Sequence, residues 1–345
     1  MSALIGIGSA VLSGACDGSY GVVMKVTKRW EWENIWLLFS ITALGVFPLA
    51  LALWSMPDLM GVYREASAAT IWQTALFGVG WGIGSVCFGL GLYLLGQSIA
   101  YTVMMGVIAV VGALVPLLAT NPRIVLTEGG LLILLSMIVM IAGVVYCGFA
   151  GKLRDDTTAV TAVGQVNDQK NFVFAFLVCL AGGLFSSMFN LAFHYGRPIA
   201  EVAAKQLGES SSSFRANSPI WALAMLGGFI PNLLYCLYLL SRKGTWSRFC
   251  QPLAGGYWLW AIVMGALFAA GITCYGVGAA NLGKLGTTVA WLVYVSSGIL
   301  VANLWGICCG EWTGAPVESI RRMKWGSILL LISIGLVSFG NHLLP

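Results

Sequence analysis

The chain has 345 residues, 59% of them hydrophobic and only 9% charged, with a formal net charge of +5. A water-soluble domain carries roughly 25% charged residues, so this composition excludes an ordinary soluble protein. The basic excess does not point to nucleic acid, because it falls in short clusters at the ends of apolar runs, as membrane topology requires.

Ten apolar runs follow one another, about 3–26, 34–55, 70–94, 99–120, 129–151, 171–195, 218–241, 256–280, 285–309 and 321–343. About 20 residues suffice for a helix to cross a bilayer. Backbone polar groups in lipid need internal partners, so these runs should be α-helices. The expected fold is an all-α polytopic membrane protein with ten transmembrane helices. No basic stretch precedes the first run, so a cleaved signal peptide is not expected.

In the first span, Asp17 is the only carboxylate placed deep within any run. An aspartate at the centre of a span costs about 2.5–3.5 kcal/mol, so it should face a cavity or a partner. A carboxyl group withdrawn from water holds a proton more readily, which makes Asp17 a candidate proton-coupling and substrate-binding group. Pairing with a cation or a hydrogen-bond donor remains open beside that. Tyr20 lies one turn further along the same run. The Trp30–Trp36 segment follows a basic pair and suits a membrane interface.

The third span is crowded with glycine and contains Trp81 and Ser85. After the fifth span comes the polar segment 152–170, the natural boundary between a first repeat, 1–151, and a second, 171–345. The sixth span contains Asn190 and, near its end, His194, which is a second candidate for proton transfer. The connection 196–217 begins with a segment, Ile199–Leu207, that suits a short interfacial amphipathic helix. Tyr275 lies in the eighth span, and Trp291, Tyr294 and Asn303 in the ninth. Aromatic faces can cover sugar C–H groups and amides can serve hydroxyls, so these residues are candidates to bind a polyhydroxyl ligand. Each taken singly suits helix packing equally well.

Two stretches nearly repeat 187 positions apart. Cys87-Phe88-Gly89-Leu90-Gly91 matches Cys274-Tyr275-Gly276-Val277-Gly278, with Gly78 and Gly84 matching Gly265 and Gly271 in register. They fall in spans three and eight, equivalent helices of two five-span halves. Five crossings per half turn the second half over, so the repeats are expected to be inverted, as in many transporters. Twelve basic residues fall on one side of this topology and six on the other, which puts both termini outside the cytoplasm. The nine cysteines show no Cys-x-x-Cys spacing, and no metal site is expected.

Several short stretches carry a family likeness: Lys28-Arg29-Trp30-Glu31-Trp32-Glu33, Trp81-Gly82-Ile83-Gly84, Thr127-Glu128-Gly129-Gly130, Phe185-Ser186-Ser187 with Arg197-Pro198, and Glu311-Trp312. On these the chain resembles the bacterial L-rhamnose–proton symporter family, a branch of the drug/metabolite transporter superfamily, over nearly its whole length. The resemblance implies ten helices in two inverted five-helix repeats (the drug/metabolite transporter fold). It also implies a central cavity and inward sugar–proton symport across a bacterial inner membrane. Its expected partners are a sugar and the lipid bilayer, with protons as coupling ion and no cofactor. Asp17 departs from the small residues at that place in the family's enterobacterial members, which puts the exact sugar in question. An exporter or facilitator of another metabolite, amino acid or drug on the same scaffold stays open. An intramembrane enzyme is not expected, because the chain has no Gly-x-Ser-x-Gly, no His-Glu-x-x-His and no paired intramembrane aspartates.

Overall fold

The structure, a computed structural model, describes residues 2–27, 29–95, 97–120, 122–157, 169–251 and 254–344. Most of the expected linker (158–168), together with Lys28 and Gly96, lies outside the described residues.

Among the described residues there are helices and no strands. In chain order they are α1 (Ser2–Tyr20), α2 (Val23–Val26), α3 (Trp32–Phe39), a π-helical segment (Ser40–Val46), α4 (Phe47–Ser55) and α5 (Leu59–Glu65). Then come α6 (Ala68–Leu95), α7 (Gln97–Thr120), α8 (Glu128–Thr157), α9 (Gln169–Ser186) and α10 (Met188–Leu207). The last are α11 (Phe214–Lys243), α12 (Ala254–Asn281), α13 (Gly286–Cys308) and α14 (Val317–His342). Nine helical stretches of the described residues are long and apolar enough to cross a bilayer. The chain is a multi-pass membrane protein: large apolar side chains such as Leu131, Ile138, Leu331 and Phe339 stand exposed on the outer helices, a pattern that water would not tolerate.

Three expectations need correction. The first apolar run is not one helix over 3–26: it stops at Tyr20, turns at Gly21 and Val22, and resumes for a single turn. Its serines and Asp17 keep α1 out of the nine strongly apolar stretches. Second, Ile199–Leu207 is not a separate interfacial helix. It continues α10, because Ile199, Ala200, Ala203 and Ala204 are buried against the bundle, and Gly208, at φ 65°, ends the helix in the left-handed conformation. Third, the second span contains a π-helical turn just before Pro48, whose missing N–H and ring disturb the preceding ladder.

Packing is organised around close backbone approaches. The first helix lies against α12 and α13, while α6 lies against α9, α10 and α11. The α3–α4 stretch packs on α11 and α12, α7 on α8, α9 and α13, and α14 on α8 and α13. A Cβ at Gly78 would collide with the Ala224 backbone of α11, and one at the matching Gly265 would collide with Thr42 in the second span. Gly84 abuts Phe185 and Ser186 at the end of α9, and the matching Gly271 abuts Ser13 and Cys16 of α1. In lipid, where apolar burial between helices gives little, such contacts are the main adhesive.

Candidate functional site

The bundle converges on Asp17. It lies in the last turn of α1, and α1 passes so close to α13 that only glycine fits at Gly14 and Gly18. That closeness brings the carboxylate beside the Tyr294 side chain. The two groups line a narrow cleft with Ser13 of α1, Phe189 of α10, and Phe268, Gly271 and Ile272 of α12. It is too narrow to admit a water molecule.

An aromatic cluster surrounds the cleft. Tyr20 stacks on Phe39 (5.4 Å between centroids) and meets Phe268 edge-on (5.9 Å). Trp81 stacks on Phe268 (5.8 Å) and leans on Phe189 (5.7 Å), and Phe189 stacks on Tyr294 (6.3 Å). Asp17 and Tyr20, Trp81 and Tyr294, from three separate parts of the sequence, therefore meet at one place. Ser85 lies one turn beyond Trp81 and donates to Asn232 Oδ1 at 2.7 Å, which also accepts from Trp36 Nε1 at 2.9 Å.

Other expected residues sit apart from the cleft surface. Asn190 is fully buried: its Nδ2 donates to Gly112 O (2.7 Å) and Thr287 O (3.2 Å), and its Oδ1 accepts from the Tyr275 hydroxyl. Trp291 is buried and donates to Ile108 O at 3.0 Å. These three form a layer behind Phe189, with their polar atoms occupied by the protein itself. His194 pairs with Thr287 Oγ1 at 3.0 Å, one turn beyond Asn190 and away from Asp17. Asn303 faces α8, where its amide donates to Cys147 Sγ at 3.4 Å. Phe189, Phe268 and Ser13 line the cleft but did not stand out in the sequence, because apolar rings and lone hydroxyls within spans look like filler until the fold gathers them. Among the described residues no group of three His, Cys, Asp or Glu side chains comes together to hold a metal.

A family model described as L-rhamnose-proton symport protein (RhaT) matches residues 1–342. The chain belongs to this family. Curated relatives at similar distance include the L-rhamnose-proton symporter of Pectobacterium atrosepticum, 27% identical and covering 98% of both chains. Those of Klebsiella pneumoniae subsp. pneumoniae and of Escherichia coli O1:K1 are each 26% identical over 97% of both chains. A solved crystal structure aligns over 98% of this chain at 14% identity with a TM-score of 0.49, too slight a likeness to argue from. The RhaT family is one of transporters, not enzymes.

The RhaT-like stretches of the sequence mostly fasten the bundle. Thr127 Oγ1 accepts from Gly130 N at 3.1 Å and so caps α8, while Gly129 lets α8 meet the Gly340 backbone of α14. Glu31 pairs with Arg248 at 2.8 Å, and the fully buried Glu33 with Lys243 at 2.9 Å and with the Thr245 hydroxyl at 2.9 Å. Glu311 pairs with both Lys25 and Arg154, and the Arg154 guanidinium lies 4.9 Å over the Trp312 ring. Every one of these ion pairs joins the first half of the chain to the second at one end of the bundle.

Proposed function

We propose that this chain imports a deoxy-hexose, L-rhamnose in the first instance, together with protons, and that it does so by alternating access. The observation that carries the reading is the Asp17–Tyr294 pair: a carboxylate from α1 of one half and a phenol from a helix of the other line one narrow aromatic cleft. Protonation removes the charge from the cleft and frees Tyr294 to meet a sugar hydroxyl. The sugar's apolar face stacks on Trp81, and its other hydroxyls reach Ser13, Ser85 and Tyr20. Opening the cleft to one side and then the other carries sugar and proton across together.

The scaffold of this reading is two inverted five-helix repeats, 1–151 and 171–345, with α1 as the tenth crossing. Two observations support it. The pairing of α1 with α12 and α13 has its counterpart in that of the α9–α10 span with α6 and α7. The matched glycines obey the same exchange: Gly78 meets the seventh span where Gly265 meets the second, and Gly84 meets the sixth where Gly271 meets the first. The excess of basic residues supports an ion-paired end in the cytoplasm and both termini outside. At the opposite end Ser55 hydrogen-bonds Ser218 (2.5 Å) and Tyr63 donates to Pro219 O (2.8 Å), again across the halves. Fastened at both ends, the molecule corresponds to an occluded intermediate.

The test is labelled L-rhamnose uptake into proteoliposomes with and without an inward proton gradient. Wild type should accumulate sugar only with the gradient. Asp17→Asn should retain sugar exchange but lose uphill accumulation, and unchanged accumulation in that variant would refute the assignment.

A further inference from the structure

We propose that the groove between α8 and α14 at the ion-paired end is a binding site for an anionic phospholipid of the adjacent membrane leaflet. The groove is a cavity of about 470 Å³, far larger than the central cleft and separate from it. Its walls are Val145, Tyr146 and Phe149 of α8 and Trp325 of α14, and its mouth is Glu318, Arg321 and Arg322 at the start of α14. Tyr146, Phe149 and Trp325 are roughly half exposed although nothing in the bundle covers them.

The order of chemistries along the groove matches an amphiphile. Arg321 and Arg322 sit in the second turn of α14, at the level where a span leaves the hydrocarbon, and Trp325 follows one turn deeper. Aromatic side chains favour that interfacial level, and basic pockets between helices recognise anionic head groups there. Glu318 already holds Arg321 at 2.6 Å and Arg322 at 2.9 Å, and Arg322 lies 6.0 Å over the Phe149 ring, so the two guanidiniums are fixed in place. Lys324 on the same helix and Lys152, three residues after Phe149, are also exposed. Three cations on α14 thus stand against one carboxylate.

That balance decides between occupants. A small soluble anion would gain only the net charge left over by Glu318, which salt screens at an exposed site. A phospholipid adds burial of acyl chain against Phe149, Val145 and Trp325. A second copy of this chain would need to place a complementary acidic ridge in a concave groove, and the large side chains exposed on α8 and α14 include many apolar ones.

Full-length protein in detergent, supplied with phosphatidylglycerol, cardiolipin or phosphatidylcholine of matched acyl chains, is read by native mass spectrometry. Wild type should retain the anionic lipids roughly ten-fold or more over phosphatidylcholine, and Arg321→Gln/Arg322→Gln should abolish that preference. Should the double variant fail to fold, quenching of tryptophan fluorescence by phosphatidylglycerol with brominated chains provides a second measurement. It should be stronger than with brominated phosphatidylcholine and should fall when Trp325 is replaced in Trp325→Phe. Equal retention of the two lipid classes on wild type, displacement by millimolar inorganic phosphate, a lipid-free dimer, or quenching indifferent to Trp325→Phe would each overturn the proposal.

Discussion

At the scale of single residues, the site separates groups that face the cleft from groups that hold it up. Trp81 packs directly on two of the first kind. Its ring is held by Phe268 and Phe189, and an aromatic contact of this sort is worth about 0.5–1.5 kcal/mol beyond buried area. Trp81→Ala should therefore raise the concentration of sugar needed for half-maximal uptake by about two- to twelve-fold, and Trp81→Phe by less. Asn190 belongs to the second kind. Removing its amide takes hydrogen bonds from the Tyr275 hydroxyl and from the Gly112 carbonyl, leaving the hydroxyl only its longer bond to Thr287 O, and a buried polar group left unsatisfied costs about 1–3 kcal/mol. Asn190→Ala should lower the thermal midpoint of the purified protein while the surviving fraction keeps wild-type affinity for sugar. Asp17 could be picked out from the sequence alone, since a carboxylate so deep in an apolar run requires an explanation. Its partner could not: Tyr294 lies 277 positions away in sequence and is one of several intramembrane aromatics.

At the scale of elements, most helices were evident from hydropathy, and their breaks were not. The turn after Tyr20, the π-helical Ser40–Val46 and the junction between α9 and α10 all interrupt apolar runs that read as continuous. Conversely, α10 runs on through polar sequence as far as Leu207, because one face of it is buried and that face is decided by neighbours. The repeated glycines are the exception, where the sequence did reveal contacts. Between two of them, at Gly82, a side chain would come within 2.5 Å of the Gly228 carbonyl on α11, and two backbones cannot easily yield. Overpacking of this kind costs about 1–3 kcal/mol. Gly82→Val should reduce the yield of folded protein and the thermal midpoint, whereas Gly106→Val, which has open space around it, should leave both unchanged.

At the scale of the whole molecule, the two halves are tied at both ends, and the ties differ in strength. Glu311 with Lys25 and Arg154 is partly exposed, and such ion pairs contribute about 0.2–1 kcal/mol each. Breaking both by Glu311→Gln should bias the bundle toward opening at that end. Cys147 is half-buried and hydrogen-bonded to Asn303, so it reports on access from there. In a background with the other cysteines replaced, Glu311→Gln should speed its modification by a water-soluble thiol reagent about two- to ten-fold, and saturating sugar should change that rate.

Sequence by itself determined that this chain lives in a bilayer, that it is helical, that a glycine-rich stretch recurs 187 positions later and that one acid deep in an apolar run has to be accounted for. These follow from local rules: apolar length, backbone hydrogen bonding in lipid, and the desolvation of a single charge. Tertiary structure alone decided which aromatic rings surround that acid, that Asn190, Tyr275 and Trp291 lie behind the cleft rather than in it, and that the acidic family-like stretches are fasteners. The reason is physical: in a membrane helix nearly every side chain is apolar or small, so its role depends on the direction it faces, and that direction is set by helices distant in sequence.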